Sequence, residues 1–182
     1  MHCADEALPD PAACGEDTEP GLAVQFACGY LTRLALPFEK AALQKMLQRM
    51  VQAVFAVEEA PFVRLELLVV DEAYMEGLNR ESMDCPGPTN ILSFPALAPL
   101  VTAAAPHLPI AGVGACETAP LFLGSLVLAP HTLLREAFLY GQKPEIYCIR
   151  LLAHGFSHLL GLDHGPKMDA VAEQLEGALR LP

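Results

Sequence analysis

The chain has 182 residues, 53% of them hydrophobic and 18% charged, which is enough for one buried core and too short for two sizeable domains. The same figures exclude a wholly disordered or coiled-coil protein. Eleven Lys and Arg against 22 Asp and Glu give a formal charge of −11, which excludes a protein that grips nucleic acid by bulk positive charge.

Residues 1–20 are acidic, contain Pro9, Pro11 and Pro20, and show no apolar period, so they are expected to form a disordered tail. Residues 21–182 then make a single α+β domain, a small mixed sheet packed by helices. The opening MHCADEALPD has neither the basic nor the apolar region of a secretory signal. Cys3, Cys14, Cys28, Cys85, Cys116 and Cys148 form no C-x-x-C pair, so they are expected as reduced thiols of a cytoplasmic protein. The uncharged stretch 85–116 is broken by six prolines and cannot be a helical membrane span.

Leu22, Val24 and Phe26 alternate as a short strand does. After Pro37, the apolar residues Leu43, Met46, Leu47, Met50, Val51, Val54 and Phe55 recur every three or four positions, which predicts an amphipathic helix over 38–57. VRLELLVV at 63–70 reads as a largely buried strand, and Asp71 is placed to cap a short helix through Leu78. TNILSF at 89–94 predicts a strand entered and left through Pro88 and Pro95. The Ala- and Pro-rich segment 96–120 is expected as a long loop. FLGSLVLA at 122–129 predicts a further strand, followed by a helix over 130–140 that Gly141 ends. Another helix opens at Pro144 and runs to about Leu160, with Gly161 as its terminator, and a last one spans 168–179.

The segment HGFSHLLGLDH at 154–164 carries the chemistry. His154 and His158 are four apart on a predicted helix, so both rings leave one face a turn apart. Gly161 lets the chain turn sharply, and His164 can swing back to the same point. Three neutral imidazoles with an open fourth position are the catalytic form of zinc coordination, in which a coordinated water is acidified to a pKa of roughly 7. One zinc per chain is the expectation. The spacing also matches the extended zinc-protease pattern H-E-x-x-H-x-x-G-x-x-H except that Gly155 stands where the glutamate base belongs, which argues against peptide hydrolysis. Asp163, a carboxylate beside these histidines, is placed to orient a ring N–H from behind the metal. His107 and His131 lie outside the motif, and neither Cys85 nor Cys148 has a partner at ligand spacing.

These residues resemble the YbeY endoribonucleases, whose signature H-G-x-x-H-L-x-G-x-D-H is met by His154, Gly155, His158, Leu159, Gly161, Asp163 and His164. Three further stretches are similar to the family in the same order: Leu78–Asn79, PTNILSFP at 88–95, and LGSLVLAP with LLREA over 123–137. The resemblance implies a zinc-type ion on His154, His158 and His164 at the base of a cleft, with Asn90 and Ser93 in one wall. It also implies metal-dependent cleavage of single-stranded RNA in rRNA maturation, at the 16S rRNA 3′ end, and in ribosome quality control. The partners it implies are rRNA and the small ribosomal subunit or its proteins, with no DNA and no membrane.

Two positions depart from the family. Met83 stands where an arginine thought to contact substrate phosphate is usual, and Arg80, three residues earlier, is the candidate replacement. Ser125 stands where the family strand usually carries Asp. Arg135 and Glu136 fit the family helix and are expected on a solvated face. Two alternatives stay open on the residues alone: a zinc hydrolase of another substrate class, and a ribosome-associated binding protein whose zinc is structural. Six of the 22 acids lie in residues 1–20 with no Lys or Arg beside them, so the rest of the chain holds 16 acids against 11 bases. That balance suits a selective enzyme in which a local cleft and a metal supply the positive charge.

Overall fold

The computed structural model describes residues 22–55, 63–96 and 121–180. The expectations for the 1–20 tail, for His107 and for nearly all of the 96–120 loop fall outside those residues. Four strands form one mixed sheet: β1 (Leu22–Ala27), β2 (Val63–Val70), β3 (Ile91–Pro95) and β4 (Leu121–Leu128). Their order is β1-β2-β4-β3, with β1, β2 and β4 parallel and β3 antiparallel to β4. This is the α+β single domain with a small mixed sheet that the sequence predicts.

Alternation sorts the strands onto two faces. Val63, Leu65 and Leu67 of β2, with Leu123, Leu126 and Leu128 of β4, join the main core. Leu68 and Val70, with Val127 and Leu92, turn to a smaller cluster on the other face. The main core is covered by α2 (Lys40–Phe55), α5 (Pro144–Leu159) and α6 (Pro166–Arg180). Leu43, Leu47, Met50, Val51 and Val54 of α2 are fully buried there, as their spacing predicts. The opposite face is covered by α3 (Glu72–Met83) through Met75, Tyr74 and Leu78. Each fully buried Leu, Met or Phe contributes roughly 1.5–3 kcal/mol of transfer free energy, so Phe156 in the last turn of α5 anchors that end of the helix firmly to the sheet.

The remaining helices are α1 (Tyr30–Leu34) and α4 (Pro130–Leu139). No periodicity announces α1, because one turn is too short to carry any. The Asp71 side chain accepts a hydrogen bond from the Tyr74 N–H at 2.9 Å, as expected of a cap. The helix it starts continues past Leu78 to Met83 and ends at Asp84, which is left-handed with φ 53°. The apolar stripe gives out at Leu78, but Asn79 is buried, and its Nδ2 donates to the carbonyls of Cys85 and Gly87. That polar anchor holds the extra turn and folds the following loop beneath it.

One glycine is dictated by the sheet. Gly124 follows a bulge at the β2–β4 pairing and has φ +131°. A Cβ there would collide with the Phe94 carbonyl oxygen of β3, so the edge strand closes onto β4 only over glycine.

Candidate metal centre

α5 crosses behind β3 and β4 and brings the histidine motif to one end of the sheet. The helix stops in a Schellman turn: the Leu162 N–H donates to the Ser157 carbonyl at 3.2 Å and the Gly161 N–H to the His158 carbonyl at 2.9 Å. Gly161 takes the left-handed conformation this requires, φ 80°, and Leu162 is buried beside the helix it leaves. The reversal carries His164 back over the helix end. Ring centroids of His154, His158 and His164 lie 4.8, 5.3 and 4.9 Å apart, and one ligand atom from each lies within 4.8 Å of the others.

The turn that ends α5 also sets one imidazole. His158 Nδ1 lies 2.9 Å from the Leu162 carbonyl oxygen. A carbonyl only accepts, so Nδ1 carries the proton and Nε2 is left with its lone pair for a ligand. Burial holds His154 below the usual histidine range, and the neighbouring His158 and His164 push the same way, against a smaller opposite pull from Asp169. Both effects favour the neutral ring, the form that binds a metal. Three neutral imidazoles without a thiolate are a donor set for a borderline divalent ion with open positions, so the residues present fit such an ion.

The histidines lie on the floor of a cleft of about 1170 Å3 with two unlike walls. One is uncharged and comes from α3, its loop and β3: Asn79, Met83, Thr89, Asn90 and Ser93. The other comes from α6 and is acidic: Asp169, Glu173 and Glu176, spaced so that they share a helix face. Ser93 ties the first wall to the floor, its hydroxyl donating to the Gly155 carbonyl at 3.1 Å.

Asn90 is held from outside the cleft. Its Oδ1 accepts from the Ile91 N–H, its carbonyl accepts from the Ala129 N–H, and its Nδ2 donates to Glu136 at 2.6 Å. The Tyr147 hydroxyl donates to the same Glu136 oxygen at 2.8 Å, and burial together with that carboxylate pushes the phenol up to about 12. Glu136 is thus half-buried and positions the wall, which corrects its expected place on a solvated face. A contact across 46 residues has no local sequence signal. Arg135 does lie at the surface, paired with Glu72 at 2.9 Å.

The other candidates are dispersed. Asp163 is exposed and lines the cleft, while the ring-orienting hydrogen bond at His158 comes from the Leu162 carbonyl. Arg80 is exposed on α3, pairs with Glu76 at 2.6 Å, and is not among the residues that line the cleft. Met83, one turn further along, does line it. Ser125 lies on the far side of the sheet, donating to Glu66 at 3.1 Å, so the missing carboxylate at that position does not alter the cleft. Cys85 is exposed at the rim of the cleft, whereas Cys148 is buried in the core, where burial alone pushes its thiol up to about 12. Cys28, Cys85 and Cys148 are free thiols, as expected, and His131 is exposed away from the site.

Gly155 has a reason in the packing. A Cβ there would sit 2.9 Å from Leu126 Cδ2, 3.0 Å from Ile91 Cδ1 and 3.1 Å from Ser93 Oγ. The position faces the sheet and not the three imidazoles. A glutamate at this position would have to displace Leu126 and Ile91 and would face the sheet, which adds to the argument against peptide hydrolysis.

A mixed sheet backed by a helix whose end gathers three histidines in an open cleft defines a fold with a prospective metal centre. Comparison with known proteins gives that fold its family. The profile of the family described as Endoribonuclease YbeY matches residues 33–178, and the chain belongs to that family. It is 46% identical over 114 residues to the endoribonuclease YbeY of Nitratidesulfovibrio vulgaris, an alignment covering 60% of this chain and 67% of that one. It is 35% identical over 190 aligned positions to the endoribonuclease YbeY of Rhodospirillum rubrum, covering 97% of this chain and 88% of the relative. A solution structure of a Thermotoga maritima protein shares the fold, with a TM-score of 0.52 at 17% identity over 86% of this chain and 89% of that one. Among the described residues no helix is long and apolar enough to cross a membrane.

Proposed function

We propose that this protein is a metal-dependent endoribonuclease that cuts single-stranded RNA in rRNA maturation, including the 16S rRNA 3′ end, and serves ribosome quality control. The observation that carries the reading is the convergence of His154, His158 and His164 on the floor of an open cleft in a chain of the YbeY family. Zinc, one ion per chain, suits the three-imidazole set. When bound, it would supply Lewis acidity and acidify a water for attack on a phosphodiester.

The chain's own residues do the rest. His158 is locked by Leu162 with Nε2 available, and burial favours the neutral form of His154. Asn90 and Ser93 give the strand's wall a fixed set of amide and hydroxyl groups for the nucleotide backbone. Asp163 stands at the cleft beside His164, and Arg80 would reach a phosphate only by leaving Glu76. A cytoplasmic location and a small-subunit partner follow from the same reading.

The test is a single-stranded RNA cleavage assay of wild type and His158→Ala, with elemental analysis of both. Wild type should cleave and carry about one zinc, and the variant should lose more than about 100-fold in rate together with its metal. Intact RNA with wild-type protein that still binds small subunits would favour the structural-zinc alternative.

A further inference from the structure

On the nuclease reading the cleft takes a polyanion, yet its charge points the wrong way. Asp163, Asp169, Glu173 and Glu176 are all in its lining, and Arg150 is the one Lys or Arg among the described residues that line it. Arg150 lies on α5, one turn before His154 on the same face, about 6 Å away along the helix axis. Its backbone is anchored by the buried Ile149, Leu151 and Leu152 on either side, while its side chain is 48% exposed. Among the described residues the guanidinium has one hydrogen bond, from Nη1 to Gln142 at 2.9 Å, and a longer contact of 3.6 Å from Nε to Glu176 Oε2. That Glu176 oxygen is shared with Arg180 at 2.7 Å, the tighter of the two contacts.

We propose that Arg150 is the phosphate-binding residue of this cleft, and that the neighbouring Glu176 carboxylate competes with an RNA phosphate for its guanidinium. This rests on the nuclease reading and extends it. A phosphate beside the one at the three histidines would meet Arg150 a helical turn away, and the planar fork suits two phosphate oxygens at once. Glu176 occupies the guanidinium with the same chemistry as a phosphate, two oxygens and a negative charge, so it is a competitor for it. With Asp169 and Glu173 alongside, it repels a backbone that does not reach Arg150 and the metal together, which makes the site selective at the expense of affinity.

The experiment is steady-state cleavage of a single-stranded RNA by wild type, Arg150→Ala, Arg150→Lys and Glu176→Gln over a series of salt concentrations, with metal content and melting temperature measured for each. Arg150→Ala should raise KM about tenfold, the size of one charge-assisted hydrogen bond, with kcat within about twofold. The dependence of log KM on log salt should flatten by about 0.7, one phosphate contact on a single strand. Arg150→Lys should keep the salt dependence and recover part of the KM. Glu176→Gln should lower KM by about two- to fivefold, a gain that a purely structural residue does not produce.

An unchanged KM and salt dependence in Arg150→Ala overturns the proposal. So does a loss of kcat that tracks loss of metal or of folding in that variant while Glu176→Gln leaves KM where it was. Wild type that leaves RNA intact at full metal occupancy overturns the nuclease reading itself, and this proposal with it.

Discussion

The two walls of the cleft are made on different principles. The β3 side is neutral and over-determined: Asn79 clamps its loop, Glu136 and Tyr147 hold Asn90, and Ser93 bonds to the floor. The α6 side is a helix face of carboxylates, exposed or half-exposed, with Glu176 spread between two arginines. A fixed wall with uncharged donors and acceptors can set the register of a strand, because its groups do not reorganise on binding. An acidic wall adds no affinity for RNA and works by exclusion. The difference teaches that a chain with a net charge of −11 need not oppose an RNA substrate, provided that the attractive groups are few and placed where the reacting phosphate lies.

The comparison breaks most severely at the joint between the neutral wall and the floor. Gly155→Glu should push α5 off β3 and β4 and bury a carboxylate against Leu126 and Ile91. The expected cost is about 3 kcal/mol or more, enough to lower the melting temperature by about six to twelve degrees or to prevent folding. The variant should gain no peptidase activity, and a folded Gly155→Glu protein that hydrolyses peptides would sink the packing argument.

A smaller effect is expected from loosening the neutral wall from behind. Glu136→Ala removes the acceptor shared by Asn90 and Tyr147 and should cost about 1–2 kcal/mol in chemical denaturation. Because the carboxylate contributes to the raised Tyr147 value, that phenol should titrate below about 12 in the variant, readable by ultraviolet absorbance. RNA cleavage should fall through kcat more than through KM if Asn90 orients the reacting nucleotide. Unchanged kcat with the tyrosine shift present would separate the wall's structure from any part in the reaction.

The smallest effect belongs to a residue outside both walls. Arg80→Ala breaks an exposed i, i+4 pair with Glu76 and should change stability by under about 0.5 kcal/mol. Cleavage should change by less than about twofold in the same assay. A tenfold rise in KM would instead show that Arg80 leaves Glu76 for the substrate, and would move the phosphate contact from Arg150 to α3.

Much of this protein is written locally. Apolar spacing gives α2 and its buried face, alternation gives β2, and Asp71, Gly141 and Gly161 mark helix ends where the structure has them. The histidine cluster is local as well, since His154, His158 and His164 fall within one helix end and its turn, and spacing plus one left-handed glycine suffices to gather them. What the local pattern misplaced is equally instructive. The apolar stripe stops α3 at Leu78, whereas burial of Asn79 carries it to Met83, which takes Arg80 to the solvent side and leaves Met83 at the cleft.

The sequence by itself determined most of the elements and the grouping of the three histidines, because each depends on residues within a turn or a strand of one another. Only the tertiary structure decided why Gly155 is glycine, that Glu136 stands behind Asn90, that Leu162 steers His158, and that α6 faces the histidines with carboxylates and α5 with Arg150. Most of those facts are distances between elements far apart in the chain. They are set by how closely a helix can approach a sheet and by which face it turns, and short-range periodicity carries no record of either.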